Sequence, residues 1–308
     1  LNPLYPEHFN DIHPLVLRAR KVVEGLLAGD HASPFRGGSI EFAQHRAYSP
    51  GDDLRSIDWK LVGRTDHIYI KQFEATTNLR AFFLLDTSGS MNYPSAPYPL
   101  QEQGLGKMTF ARLLLACLGY LCLRQGDAVS LYASQEGRAV ILPPRSRPGY
   151  LNTFCDVLDG LQPTGTEGLM GPLAMLQQRL SQRSLLVLAS DFFTDLPPLF
   201  SQMKALAAHG HDLVALQILH RDEQTFPFHR SYRFEGLEGE SSMMVHGDEW
   251  RQGYLERFEA HQKALKKGLF AAGVDVHVCF SDESAVKVLT RLLNSPLRRN
   301  ARQKQALG

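Results

Sequence analysis

The sequence predicts an α/β fold, a mostly parallel sheet with helices on both faces, and two observations predict it. From about residue 79 onward, short apolar segments alternate with longer helical patterns. Several of these short segments are apolar throughout rather than at every second position. That marks strands buried on both faces, which a sheet achieves when crossover helices cover it on both sides.

The elements can be read in order. Residues 79–85 (Leu-Arg-Ala-Phe-Phe-Leu-Leu) form a continuous strand candidate, and residues 108–124 a buried helix. Residues 128–133 and 139–142 are further strands, and residues 148–161 and 169–181 are helical. A second wholly apolar strand covers 185–189, followed by a helix over 196–209 that stops near Gly210. A strand over 213–219, a long charged helix over 250–272 ending at Gly273, a strand over 274–280 and a helix over 283–293 complete the pattern. Two regions break the alternation. Residues 1–77 hold one helix candidate (14–28), then Gly- and Arg-rich sequence with strand-like pieces such as 67–73. Residues 226–248 are β-like around 232–234 and 243–245, and the two regions are expected to pair into a small accessory sheet. The expected organisation is therefore an N-terminal α+β accessory region (1–77), an α/β domain (78–295) with a β-like insertion at about 226–248, and a basic tail (296–308).

Composition narrows the function classes. A net charge of +1 over 308 residues gives no global field for nucleic acid or a membrane surface. The longest apolar stretch, 110–123, carries Arg112 and is shorter than the roughly 20 residues a membrane span needs. Pro3, Pro6, Glu7 and His8 interrupt any apolar leader. Cys117, Cys122, Cys155 and Cys279 form no CxxC pair and read as reduced core thiols, so a cytoplasmic location is expected. The tail residues Arg298, Arg299, Arg302 and Lys304 read as a solvated end.

The chemistry concentrates at one strand end. The strand ending at Leu85 runs into Asp86-Thr87-Ser88-Gly89-Ser90. A tight loop there aims one carboxylate and two hydroxyls at a common point, the oxygen donor set that magnesium and related hard cations prefer. Asp191 follows the second buried strand, and Pro163-Thr164-Gly165-Thr166 lies on a loop at the same rim. In open α/β sheets that rim, outside the carboxyl ends of the strands, is where ligands bind. Thr166 is favoured over Thr164 because it lies nearer the next helix. The competing role for Ser88 and Ser90 is capping of the following helix, with Asp86 capping a turn.

These residues resemble the metal-ion-dependent adhesion site of von Willebrand factor A domains, whose fold is a Rossmann-type mostly parallel sheet. A narrower resemblance comes from Arg46-Ala47-Tyr48-Ser49-Pro50-Gly51-Asp52-Asp53-Leu54-Arg55-Ser56-Ile57-Asp58-Trp59, with Gly37-Gly38-Ser39-Ile40-Glu41-Phe42 and Arg64 around it. This looks like the hallmark of the bacterial domain-of-unknown-function family fifty-eight, and the likeness runs from about His31 to Leu293. The resemblance implies a divalent ion (Mg2+, or Mn2+ or Ca2+) on Asp86, Ser88, Ser90, Thr166 and Asp191, with Thr164 as the alternative threonine. It also implies a protein partner offering an acidic side chain, and an adaptor or co-chaperone role beside a MoxR-type AAA+ ATPase. One departure is the long Pro-rich segment 92–106, expected to cover or extend the metal rim.

The hallmark has its own physical reading. Pro50-Gly51 suits the centre of a type II turn. Arg46, Asp52, Asp53, Arg55 and Asp58 alternate in sign and can form a fork-like ion network that locks the N-terminal region, with Trp59 as an apolar anchor. Two other functions stay open: a phosphatase-like hydrolase using Asp86, and a structural protein with a degenerate metal site. Against catalysis, position 88 is Ser where phosphoryl-transfer enzymes want a second carboxylate, no GxSxG elbow is present, and no Gly-rich phosphate loop follows a strand. The expected role is binding rather than catalysis.

Overall fold

The computed structural model describes residues 13–28, 79–94, 105–147, 149–166 and 168–295, and the backbone of 42–47 and 69–73. The chain divides into two units, residues 35–78 and the remainder. In the smaller unit, β1 (Phe42–Ala47) pairs antiparallel with β2 (Tyr69–Phe73). Of the hallmark, Arg46 lies on β1, whereas Tyr48, Gly51, Asp52, Asp53, Arg55, Asp58 and Trp59 fall outside the described residues, as do 95–104 and the basic tail.

The larger unit is a six-stranded sheet in the order β10-β7-β6-β3-β4-β5. Its strands are β3 (Arg80–Leu85), β4 (Ala128–Gln135), β5 (Arg138–Arg145), β6 (Leu185–Ser190), β7 (Asp212–Leu219) and β10 (Asp275–Phe280). All neighbours run parallel except β4 and β5, which form an antiparallel edge. This is the fold class the sequence predicts. From β3 the chain builds outward through β4 to β5, then returns to the other side of β3 with β6. The reversal leaves a crevice at the carboxyl ends of β3 and β6, the topological switch point where such sheets bind ligands.

Strand alternation divides the core. Phe82 and Leu84 join Leu186 and Leu188 under α4 (Met170–Gln177), α5 (Leu196–Ala208) and α7 (Gly247–Ala271), where Leu173, Leu199, Met203, Leu265 and Leu269 are buried. On the other face lies α2 (Lys107–Arg124), buried on nearly all sides. Phe83 meets Phe154 of α3 (Tyr150–Gly160) edge to face, with ring centroids 5.4 Å apart. Helices α1 (Pro14–Ala28) and α8 (Ala285–Leu293) pack on α2. The four cysteines are free and buried.

The structure differs from the sequence reading in two places. The α1 helix, expected with the accessory region, belongs to the larger unit, because Leu15, Val16, Ala19, Val23 and Leu26 bury one helical stripe there. The two β-like regions do not pair with each other among the described residues. Instead β8 (Ser231–Phe234) pairs with β9 (Met243–His246), as β1 does with β2. Local pairing closes a short loop, which costs less chain entropy than joining segments well over a hundred residues apart.

Asp127 opens β4 and accepts a hydrogen bond from the Leu79 backbone N–H at 3.1 Å, tying the two strand starts together. Burial pushes its pKa up to about 6, against the lowering effect of that bond. With a folded pKa above the unfolded one, the folded state binds the extra proton, so its stabilising effect is full below about pH 4 and lost as pH rises through about 6. Asp127→Asn, which can still accept from Leu79, is expected to flatten that slope and match or exceed the wild type at pH 7. Urea unfolding across pH 4–7 checks it.

Candidate metal centre

Asp86 follows β3, and its backbone N–H donates to the Ala189 carbonyl of β6 at 2.9 Å, so the switch point fixes its position. The side chain is buried. Its Oδ1 accepts from the Ser88 N–H at 2.9 Å and the Ser88 hydroxyl at 2.7 Å, and its Oδ2 accepts from the Ser190 hydroxyl. The Ser88 and Ser90 hydroxyls lie 3.1 Å apart. Ser88 precedes a one-turn helix over Gly89–Asn92 but makes no side-chain cap to it. The capping role therefore does not describe Ser88, although Asp86 does hold a turn through the Ser88 N–H.

The threonine loop is stitched to the same place. Thr164 N–H donates to the Thr87 carbonyl at 2.9 Å, and Gly89 N–H to the Gly165 carbonyl at 2.8 Å. Thr166 lines a cavity of about 380 Å3 together with Asp86, Ser88, Gly168 and Glu238. Thr164 is not part of that lining; its hydroxyl accepts from Gln135 at 3.5 Å. Of the two threonines, Thr166 is the one that faces this cavity.

Asp191 sits one step behind. It does not line the cavity, and its Oδ2 takes a hydrogen bond from Lys107 Nζ at 2.7 Å while Oδ1 accepts from the Phe193 N–H at 3.1 Å. Lys107 is wholly buried and also reaches Glu223 Oε1 at 2.6 Å. Glu223 belongs to the short helix α6 (Arg221–Thr225), where its Oε2 accepts from the His220 N–H at 2.7 Å in a capping box. Burial opposes the Lys107 charge, but Asp191 and Glu223 together outweigh it and hold the ammonium above its ordinary pKa.

Asp86 has no such cation. Among the described residues none forms an ion pair with it, and burial, then the charge of Asp191, pushes its pKa up to about 6 despite the Ser190 and Ser88 hydrogen bonds. A buried carboxylate faced by hydroxyls, beside open space, is a donor set that a hard cation fits: each hydroxyl can turn its proton away and present a lone pair. A Cβ on Gly168 would lie 3.6 Å from both Asp86 oxygens, so a small residue keeps that side open. No cluster of three or more His, Cys, Asp or Glu able to hold an ion occurs among the described residues, so a cation at Asp86 would rest mainly on neutral oxygens.

Sequence reasoning missed three residues here. Ser190, just past the strand expected over 185–189, carries no site expectation in the sequence. Lys107 had a signal, since a lysine in the first turn of a helix opposes the helix dipole and calls for compensating carboxylates. Glu238, on the turn between β8 and β9, had none.

Comparison with known proteins gives a consistent relationship. The family described as "Protein of unknown function DUF58" matches residues 44–264. Uncharacterized proteins of Mycobacterium tuberculosis and Mycobacterium bovis are 26% identical over 214 residues, which are 68% of this chain. The match spans 64% of the length of those relatives. Among solved structures, the conserved hypothetical protein BatB from Bacteroides thetaiotaomicron is 13% identical, with a TM-score of 0.43 over 70% of this chain and 100% of that one. An aerotolerance-related membrane protein from Bacteroides fragilis is 16% identical, with a TM-score of 0.43 over 70% of this chain and 98% of that one. Among the described residues, no helix is long and apolar enough to cross a membrane.

The buried ammonium yields a stability prediction. Lys107→Met strands two carboxylates and is expected to cost about 3–5 kcal/mol. Adding Glu223→Gln is expected to recover part of the loss by removing one stranded charge. Urea unfolding of the single and double variants in chelator tests this, and strict additivity would show that the pair is not coupled.

Proposed function

The chain belongs to the DUF58 family, and from that premise we propose that it is a metal-dependent protein-binding module, an adaptor or co-chaperone for a MoxR-type AAA+ ATPase or its client. The observation that carries this reading is the buried Asp86 carboxylate, ringed by hydroxyls at the switch point and lacking a cationic partner among the described residues. Asp86, Ser88 and Thr166, which line the cavity, and Ser90, whose hydroxyl lies 3.1 Å from that of Ser88, would hold Mg2+ (or Mn2+ or Ca2+), with Asp191 adding negative charge from behind while fixed by Lys107. Such an ion supplies an electrophilic position for an acidic side chain of the partner, because neutral hydroxyls do little to quench its charge.

The residues of this chain do the positioning. The Asp86 N–H bond to Ala189 and the Thr87–Thr164 and Gly89–Gly165 bonds hold the three loops in register, so the donors need little rearrangement. Binding fits the site better than hydrolysis. Among the described residues no histidine lines the cavity, so neither Ser88 nor Ser190 has the serine–histidine pairing of a nucleophilic hydrolase.

Thermal melting with Mg2+ or chelator tests the reading. Magnesium at a hundredfold excess over Kd is expected to stabilise the wild type by about 2.7 kcal/mol. Asp86→Ala is expected to fold and show no response. An equal response in that variant would place the ion elsewhere, and turnover of simple phosphate or acyl esters would favour the hydrolase.

A further inference from the structure

The β8–β9 hairpin brings a carboxylate to the rim that the sequence pattern did not indicate. Its turn crosses the loop after Asp86 so closely that a Cβ on Gly89 would fall 1.9 Å from the Leu237 carbonyl oxygen. The next residue, Ser90, donates its backbone N–H to Glu238 Oε1 at 3.3 Å. Glu238 and Asp86 are the two carboxylates lining the cavity among the described residues.

The hairpin is held at its base. Gly247 N–H donates to the Arg230 carbonyl at 3.0 Å, and a Cβ on Gly247 would lie 1.8 Å from the Phe228 carbonyl oxygen. Phe226 stacks on Phe234 at 6.0 Å and packs against Tyr254 of α7 at 4.7 Å, while Phe228 meets Phe234 edge to face at 5.2 Å. At the tip, the Glu238 N–H donates to Glu240 Oε2 at 3.1 Å, which orders the turn that presents Glu238.

We infer that Glu238 is an intramolecular ligand for the cation at Asp86, standing where the acidic side chain of a partner would bind. This rests on the cation-binding reading above. A site built from one lining carboxylate and several hydroxyls leaves most of a divalent charge uncompensated, and a second carboxylate is the donor a hard cation then favours. The Ser90 N–H engages Oε1 of Glu238, and no other hydrogen bond among the described residues engages its carboxylate, so Oε2 is available to an ion. A partner must then displace Glu238, which makes the insertion an internal competitor and selects partners whose carboxylate binds better than the tethered one.

The alternative is that Glu238 only anchors the hairpin through Ser90. Glu238→Gln separates the two, because a glutamine carbonyl can still accept from the Ser90 N–H but carries no charge. The experiment titrates Mn2+ alone into the full chain of wild type, Glu238→Gln and Asp86→Ala, reading affinity and water-proton relaxation enhancement per bound ion. The inference expects Asp86→Ala to lose binding and Glu238→Gln to bind about tenfold more weakly or worse. It also expects a higher enhancement in Glu238→Gln, since water takes the vacated position. An enhancement equal to the wild type in Glu238→Gln, with binding still lost in Asp86→Ala, overturns the inference and leaves the cation reading standing. No Mn2+ binding to the wild type overturns both.

Discussion

The reversal of strand order between β3 and β6 is the constraint on which the rest of this molecule depends. Because the chain leaves β3 on one side and returns on the other, no single connection covers both carboxyl ends, and the loops after Leu85 and Ser190 emerge side by side. Two aspartates follow those two strands. Their proximity raises an electrostatic cost that the fold must meet, since like charges in a poorly solvated crevice repel strongly.

The two carboxylates are compensated differently, and that asymmetry gives the site its chemistry. Asp191 is tied to the ammonium of Lys107, which Glu223 shares, so its charge is partly compensated inside the protein. Asp86 receives only hydrogen bonds from hydroxyls and an N–H group. Burial, and then the charge of Asp191, push its pKa well above the ordinary range, and the hydrogen bonds from Ser190 and Ser88 offset only part of that rise. A cation supplied from solution would finish what the protein leaves undone. The same arrangement explains why the lysine stands at the start of α2, where a helix dipole disfavours it: the carboxylates on either side outweigh the dipole.

The insertion adds a layer to this rim. Phe234 of its hairpin stacks on Phe226, which packs against Tyr254 of α7, and its turn lies against Gly89, where a larger side chain than that of glycine has no room. Packing far from the rim thereby fixes a carboxylate at the rim. A module of this kind carries its own competitor, and its selectivity would come from the difference between a tethered and an incoming acid rather than from either affinity alone.

The sequence by itself determined the elements and the central aspartate. Short apolar runs at 81–85 and 185–189, each ending at a loop, read as strands buried on both faces, and helical periodicity at 14–28 and 108–124 is a local property of the chain. Since a loop must follow a buried strand, Asp86 and Asp191 are legible in the sequence as rim residues. Tertiary structure alone decided the rest. It chose Thr166 rather than Thr164 for the cavity, turned Ser190 onto Asp86, set Lys107 behind Asp191, and brought Glu238 to Ser90 across 148 residues of chain. It also grouped α1 with the larger unit and closed β8 on β9. The physical reason is common to all of these: periodicity and strand ends are written in neighbouring residues, whereas which charge meets which is settled by contacts between distant segments.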